Sequence, residues 1–270
     1  FALRKLIDEA KADWPTVLAK LESVRRLLIN RNAMLCNVTV DAGAWTGVRP
    51  QIEAFVKSLP ASDHTIATWA PDYNRAPEGL TVPASVNYVS KGASLFDVGY
   101  RRNGSTEVIS HYLRSTWLWE RVRVLGGAYG GFCVFDSHSG TFGYVSYRDP
   151  NVLQTLDIYD QTAGFLESLD LPQEELVKSI VGTIGGVDAY QLPDAKGFSA
   201  MVRRLINYTD EARQQYRTEL LNTTVEDFRA FAEVARQVAE SGSIVVVGAP
   251  AAIQAANEVR GIGFEVTKLV

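Results

Sequence analysis

The residues whose types and spacing suit chemistry lie between 123 and 131. Gly126-Gly127-Ala128-Tyr129-Gly130-Gly131 sets four glycines around one tyrosine, and Arg123 lies just upstream. A tyrosine hydroxyl can donate a hydrogen bond to a developing oxyanion, and an arginine can hold a peptide carbonyl. The same residues also read without chemistry, as a half-buried tyrosine and an arginine drawn to a helix C-terminal dipole. A phosphate loop is excluded, because such loops run strand, glycines, helix, so that helix N–H groups face the anion. Here the order is helix, glycines, strand, and the Lys-Ser/Thr pair of a P-loop is missing. A helix stop with permissive backbone angles explains one or two glycines. Four of them suggest close approach by another chain or ligand.

Other constellations carry less. None of His64, His111 and His138 belongs to an H-E-x-x-H or H-x-x-E-H pair, and Cys36 and Cys133 are far apart, so no metal site is expected from these residues. Asp136-Ser137-His138 holds triad residue types, but adjacency is not triad geometry, and turn chemistry explains it. Asp8-Glu9 and Glu174-Glu175 read as carboxylates at helix starts. Two cysteines exclude a disulfide-dense fold, imply a reducing compartment, and read as inert core thiols. With 27 basic against 31 acidic residues the chain lacks the basic footprint of a nucleic-acid binder. No apolar run approaches the ~18 residues that span a bilayer, so neither nucleic acid nor membrane is an expected partner. The chain opens on Phe1 with no charged-then-apolar leader, which reads as a fragment or a processed product.

The elements that must position these residues follow from periodicity. Leu3, Leu6, Ile7 and Ala10, then Val17, Leu21, Val24 and Leu28, form helical stripes. A strand is predicted over 34–40 and a helix over 48–58, with Ile52, Phe55 and Val56 inward. Residues 60–83 lose all period among Pro60, Pro71, Pro77 and Pro83, which predicts a linker. A strand near 86–89 precedes a helix over 105–123, whose Ile109, Tyr112, Leu113, Thr116 and Trp117 share one face. A hairpin follows, 132–136 and 141–147. Asp149-Pro150 predicts a helix start. Helices are then predicted over 150–169, 173–190, 195–207, 209–220 and 225–241, a buried strand over 244–247, a helix over 250–259 and a last strand over 263–269. Gly182, Gly185 and Gly186 weaken the second of these helices. This order predicts an α+β fold, a mixed sheet with helices packed on one face.

One resemblance adds to that reading. It rests on Val108 to Phe132, on Ser146-Tyr147-Arg148-Asp149-Pro150-Asn151, on Thr155-Leu156-Asp157-Ile158-Tyr159-Asp160, on Val86 to Val89 and on Asp188 to Gly197. These segments, in register over 84–245, resemble the C-terminal domain of the presequence-protease family, within the pitrilysin (insulin-degrading-enzyme) superfamily of zinc metallopeptidases. The resemblance implies the tail of a preceding α+β domain over 1–59, a connecting loop over 60–83 and a pitrilysin-like domain over 84–270. It also implies two hinged halves around a chamber. The N-terminal half would carry an H-x-x-E-H zinc site, where zinc activates a water and the motif glutamate is the base. This half would supply Arg123 and Tyr129, holding a substrate carbonyl and stabilising the oxyanion.

The expected partners are unfolded peptides, such as cleaved organellar targeting presequences, and the N-terminal catalytic half. Zinc would serve the full-length enzyme and none would be held by this chain. The expected location is the mitochondrial matrix or chloroplast stroma. The competing reading is a non-catalytic structural or binding subunit of the same superfamily, which an absent H-x-x-E-H upstream of Phe1 would favour.

Overall fold

The computed structural model describes residues 2–70 and 76–269. In chain order come α1 (Ala2–Ala12), α2 (Trp14–Leu28), α3 (Ala42–Ser58), β1 (Glu78–Thr81), β2 (Tyr88–Ser94) and α4 (Ser105–Ser115). A π-helix (Trp119–Leu125) leads to β3 (Gly130–Phe135) and β4 (Thr141–Tyr147). Then follow α5 (Leu153–Asp160), α6 (Thr162–Glu167), α7 (Gln173–Val187), α8 (Pro193–Leu205), α9 (Asp210–Leu221) and α10 (Val225–Ser241). The chain closes with β5 (Ser243–Gly248), α11 (Pro250–Arg260) and β6 (Glu265–Lys268). Two compact units result, one from residues 2–70 and 190–209, the other from 76–189 and 210–269.

The first unit is helical. Asp13 caps α2 by accepting from Thr16 N at 3.2 Å, with Pro15 in the first turn, and Asp41 caps α3 by accepting from Ala44 N at 2.8 Å. That second cap starts α3 six residues earlier than the sequence predicts. Asn30 ties the unit together, accepting from Asn32 N and Ser62 N and donating to Ser62 O. Residues 34–40 form no strand, because no neighbouring strand takes up their backbone groups. The stripes on α1 and α2 are helical as predicted, yet only Val17 is buried; Leu3, Leu21 and Leu28 stay exposed. Cys36 is exposed as well, which corrects its reading as a core thiol.

The second unit is built on a mixed six-stranded sheet in the order β3-β4-β2-β5-β1-β6. β2 runs antiparallel to β4 and β5, and β1 runs parallel to β5 and β6. Helices α4, α5, α10 and α11 pack on one face, against β3, β2, β1 and β5. That face carries Val89, Cys133, Phe142, Tyr144 and Val246, all buried. Phe132, Val134 and Tyr147 alternate with it and stay exposed on the other face. This is the α+β arrangement expected, with helices on one side only. Tyr144 stacks on Tyr159 at 5.0 Å, and Phe142 meets Phe231 edge-on at 5.5 Å. Inside the core, Lys91 is satisfied by Asp160 at 2.5 Å and by Ala239 O at 2.6 Å, joining β2 to α5 and α10.

Several predicted elements shift. The stretch read as a linker contains β1, paired on both sides; four residues are too few to show alternation, and its support comes from strands far along the chain. Residues 71–75 of that stretch, Pro71 included, lie outside the described residues. Asp149 does not cap a helix at 150. It is buried, accepts from Asn151 N at 2.8 Å and Thr155 Oγ1 at 2.7 Å, and α5 begins at Leu153. The helix predicted over 105–123 ends at Ser115 and resumes as the π-helix. Despite its three glycines, α7 runs unbroken to Val187.

Candidate functional site

The π-helix is the local feature that aims Arg123. Widened helical turns of this kind recur at functional positions, because they rotate side chains off the regular helical register. The guanidinium carbon of Arg123 lies 3.9 Å from the Trp119 ring centre and 5.9 Å from that of Tyr129. Both aromatic faces attract the cation. No carboxylate pairs with Arg123 among the described residues, so its planar donors stay available.

The glycine loop then turns the chain. Gly127 has φ +78°, a left-handed conformation that glycine adopts without strain. Its N–H donates to Arg123 O at 3.0 Å and Ala128 N to Val122 O at 3.2 Å, closing the helix. Asn151 Nδ2 donates to Gly126 O at 2.6 Å and fastens the loop from outside. At Gly131 a Cβ would lie 2.9 Å from Val122 Cβ and 3.1 Å from Leu118 O, so β3 can pass the π-helix only with a glycine there. A Cβ at Gly126 would lie 2.6 Å from Val122 O, so contacts and backbone angles within the chain account for three of the four glycines without a substrate.

Tyr129 emerges from this turn at 65% exposure. Its N–H donates to Tyr147 O at 3.1 Å, which fixes the backbone while the phenol projects outward. Tyr147 meets Tyr129 edge-on at 5.8 Å and Tyr88 at 5.4 Å. The next residue, Arg148, is held at φ +50°, a conformation rare outside glycine and asparagine. A row of Trp119, Arg123, Tyr129, Tyr147 and Tyr88 results, with one cation among four aromatic rings. It suits a peptide main chain: apolar surface, a fixed guanidinium for a carbonyl, and an exposed hydroxyl donor.

The structure thus brings together the two residues singled out in the sequence, Arg123 and Tyr129, and adds three that sequence reasoning missed. Trp119 was legible, standing four residues before Arg123; Tyr88 and Tyr147 join only through strand pairing. The remaining candidates stay apart. Asp136 accepts from His138 N at 2.9 Å and Ser139 Oγ at 2.9 Å, a hairpin turn with the carboxyl held below its ordinary range by those bonds. Cys133 is buried, and burial pushes its thiol up to about 12. Among the described residues no group of three or more His, Cys, Asp or Glu side chains is placed to hold a metal. The donor set here does not fit a zinc site.

Among solved structures, the peptidase M16 inactive domain from Pseudomonas fluorescens aligns at TM-score 0.54 with 18% identity, over 78% of this chain and 52% of that one. Pitrilysin aligns at TM-score 0.52 with 11% identity, over 77% of this chain and 23% of that one. The fold is therefore that of pitrilysin-like M16 peptidase domains. Presequence protease 1, chloroplastic/mitochondrial, of Arabidopsis thaliana is 48% identical over 98% of this chain and 24% of its own length. The profile of the PreP C-terminal domain family matches residues 77–250, and the chain belongs to that family. It spans about a quarter of the length of the curated relatives it matches.

Proposed function

We propose that this chain is the C-terminal part of a zinc metalloendopeptidase that degrades short unfolded peptides. The observation that carries the reading is Arg123, held by Trp119 and the exposed Tyr129 with no counter-ion among the described residues. In this reading Arg123 donates to a substrate carbonyl next to the cut. The Tyr129 hydroxyl donates to the oxyanion as the carbonyl becomes tetrahedral. Preorganised donors of this sort act most strongly where water is excluded. Zinc belongs to the rest of the polypeptide, and the N-terminal half is the partner that carries it.

The open aromatic row, with its exposed phenol, supports a flexible peptide main chain as the substrate. Organellar targeting presequences fit that description, and the names of the relatives in Arabidopsis and Eremothecium gossypii support a chloroplast or mitochondrial location. The test compares the full polypeptide with the 270-residue chain on an unfolded fluorogenic peptide. The full protein is expected to cleave and to lose activity on chelation. The chain alone is expected to be inactive with or without added zinc. Zinc-dependent cleavage by the chain alone would overturn the two-part reading.

A further inference from the structure

A cavity of about 370 Å3 opens at the sheet edge, between α4, α7 and β3. Glu107, Ser110, His111 and Arg114 line it from α4, Cys133 to Phe135 from β3, and Gly182, Thr183 and Gly186 from α7. Its size is that of a small-ligand site. It lies on the helix-covered side, whereas the row of Trp119, Arg123 and Tyr129 belongs to the exposed side.

Three observations point to a ligand. His111 Nδ1 is buried without a partner among the described residues, and desolvation lowers the ring's pKa, with Arg114 adding to the effect. Buried polar groups are normally satisfied, so this nitrogen marks a place where something polar docks. Ser110, 8% exposed, sets its Oγ against the Cys133 thiol. Arg114 makes no ion pair among the described residues, although it is a cation at the cavity mouth. Finally, α7 carries Gly182 and Gly186 one turn apart, each costing about 1 kcal/mol against alanine in a helix. A Cβ at Gly186 would meet nothing within 4 Å, so packing within the chain does not demand that glycine. At Gly182 the His111 ring fills that space, 3.2 Å from where a Cβ would stand, so the room for another backbone lies at Gly186.

The edge strand supplies the rest. Among the described residues β3 ends the sheet and pairs only with β4. Asp136 N donates to Thr141 O, and by the antiparallel alternation Cys133 and Phe135 turn their N–H and C=O groups away from β4. Phe135 lies by Tyr100 near the start of α4, and Gly131 by Val122 beyond its end, so β3 and α4 run antiparallel. Glu107 therefore marks the Phe135 end of the cleft and Arg114 the opposite end. Seven helical residues separate them, roughly 10 Å, which is about three residues of extended chain. Tyr216 donates to Glu107 Oε2 at 3.0 Å, and Oε1 takes no hydrogen bond among the described residues.

We propose that this cleft binds a short zwitterionic peptide of about three residues, added antiparallel to β3, its ammonium at Glu107 and its carboxylate at Arg114. Gly186 of α7 lets its backbone in, and His111 meets its polar groups. The site depends on neither Arg123 nor Tyr129.

Calorimetric titration of the chain with trialanine, and with N-acetyl-trialanine amide, tests this. Trialanine is expected to bind at least about tenfold more tightly than the blocked form, as loss of one charge-assisted bond implies. Arg114→Gln is expected to abolish the preference for a free carboxylate. Gly186→Leu, which fills the cavity and favours the helix, is expected to abolish binding while the protein melts no lower than wild type. Tyr129→Phe is expected to leave trialanine binding unchanged, so this result and the peptidase reading stand or fall separately. Failure of trialanine to bind, equal binding of the blocked peptide, or unaltered binding by Gly186→Leu would each overturn the proposal.

Discussion

Arg123 owes its position to aromatic faces, and that has a chemical consequence. A carboxylate partner would consume the guanidinium donors, whereas Trp119 orders the side chain and leaves them free. Trp119→Ala is therefore expected to loosen Arg123 without unfolding the protein, since Trp119 is 48% exposed. Loss of a cation–π contact of about 0.5–2 kcal/mol should lower kcat/KM of the full-length peptidase by about 2- to 30-fold. Unchanged kcat/KM would remove Trp119 from the site. The two cysteines separate at this scale as well. At pH 8 a thiol pushed up to about 12 is thiolate in only about one molecule in ten thousand. Iodoacetamide should label exposed Cys36 in the native protein and Cys133 only after denaturation; equal rates would contradict the burial of Cys133.

Among the elements, the loop from Gly126 to Gly131 shows where sequence reading works and where it stops. The helix stop and the strand after it are local, set by glycine backbone freedom, and were legible. The reason for Gly131 is not local: β3 passes the π-helix at backbone distance, a contact that appears only once the sheet is assembled. Gly131→Ala should cost about 1–3 kcal/mol through overpacking against Val122 and Leu118, measured by denaturant unfolding. A change within 0.5 kcal/mol, roughly the scatter of surface substitutions, would show that the π-helix yields easily. The hairpin, α10 and α11 were likewise legible from period and turn chemistry. β1 was not, because its four residues are held by β5 and β6, which follow more than 150 residues later. The π-helix escaped too, because intrinsic propensity does not encode its widened turn. Of the candidate site, Arg123 and Tyr129 stood out by type beside the glycines, and only the resemblance gave them roles; Tyr88 and Tyr147 required strand register.

At the scale of the molecule, the sheet is covered on one face only, and Phe132, Val134, Tyr129 and Tyr147 are left exposed on the other. The first unit exposes apolar stripes of its own, Leu3 and Leu28 among them. Exposed apolar surfaces of this kind mark protein contacts, and the chain spans about a quarter of the length of its curated relatives. In the proposed function this part supplies a transition-state donor to a peptidase centre carried elsewhere in the polypeptide. Steady-state turnover of full-length Tyr129→Phe at saturating peptide tests it most directly, because the substitution removes one hydroxyl from an exposed ring and leaves the fold intact. Turnover is expected to fall about 10²–10³-fold with an unchanged melting temperature. Wild-type turnover in that variant would contradict the account.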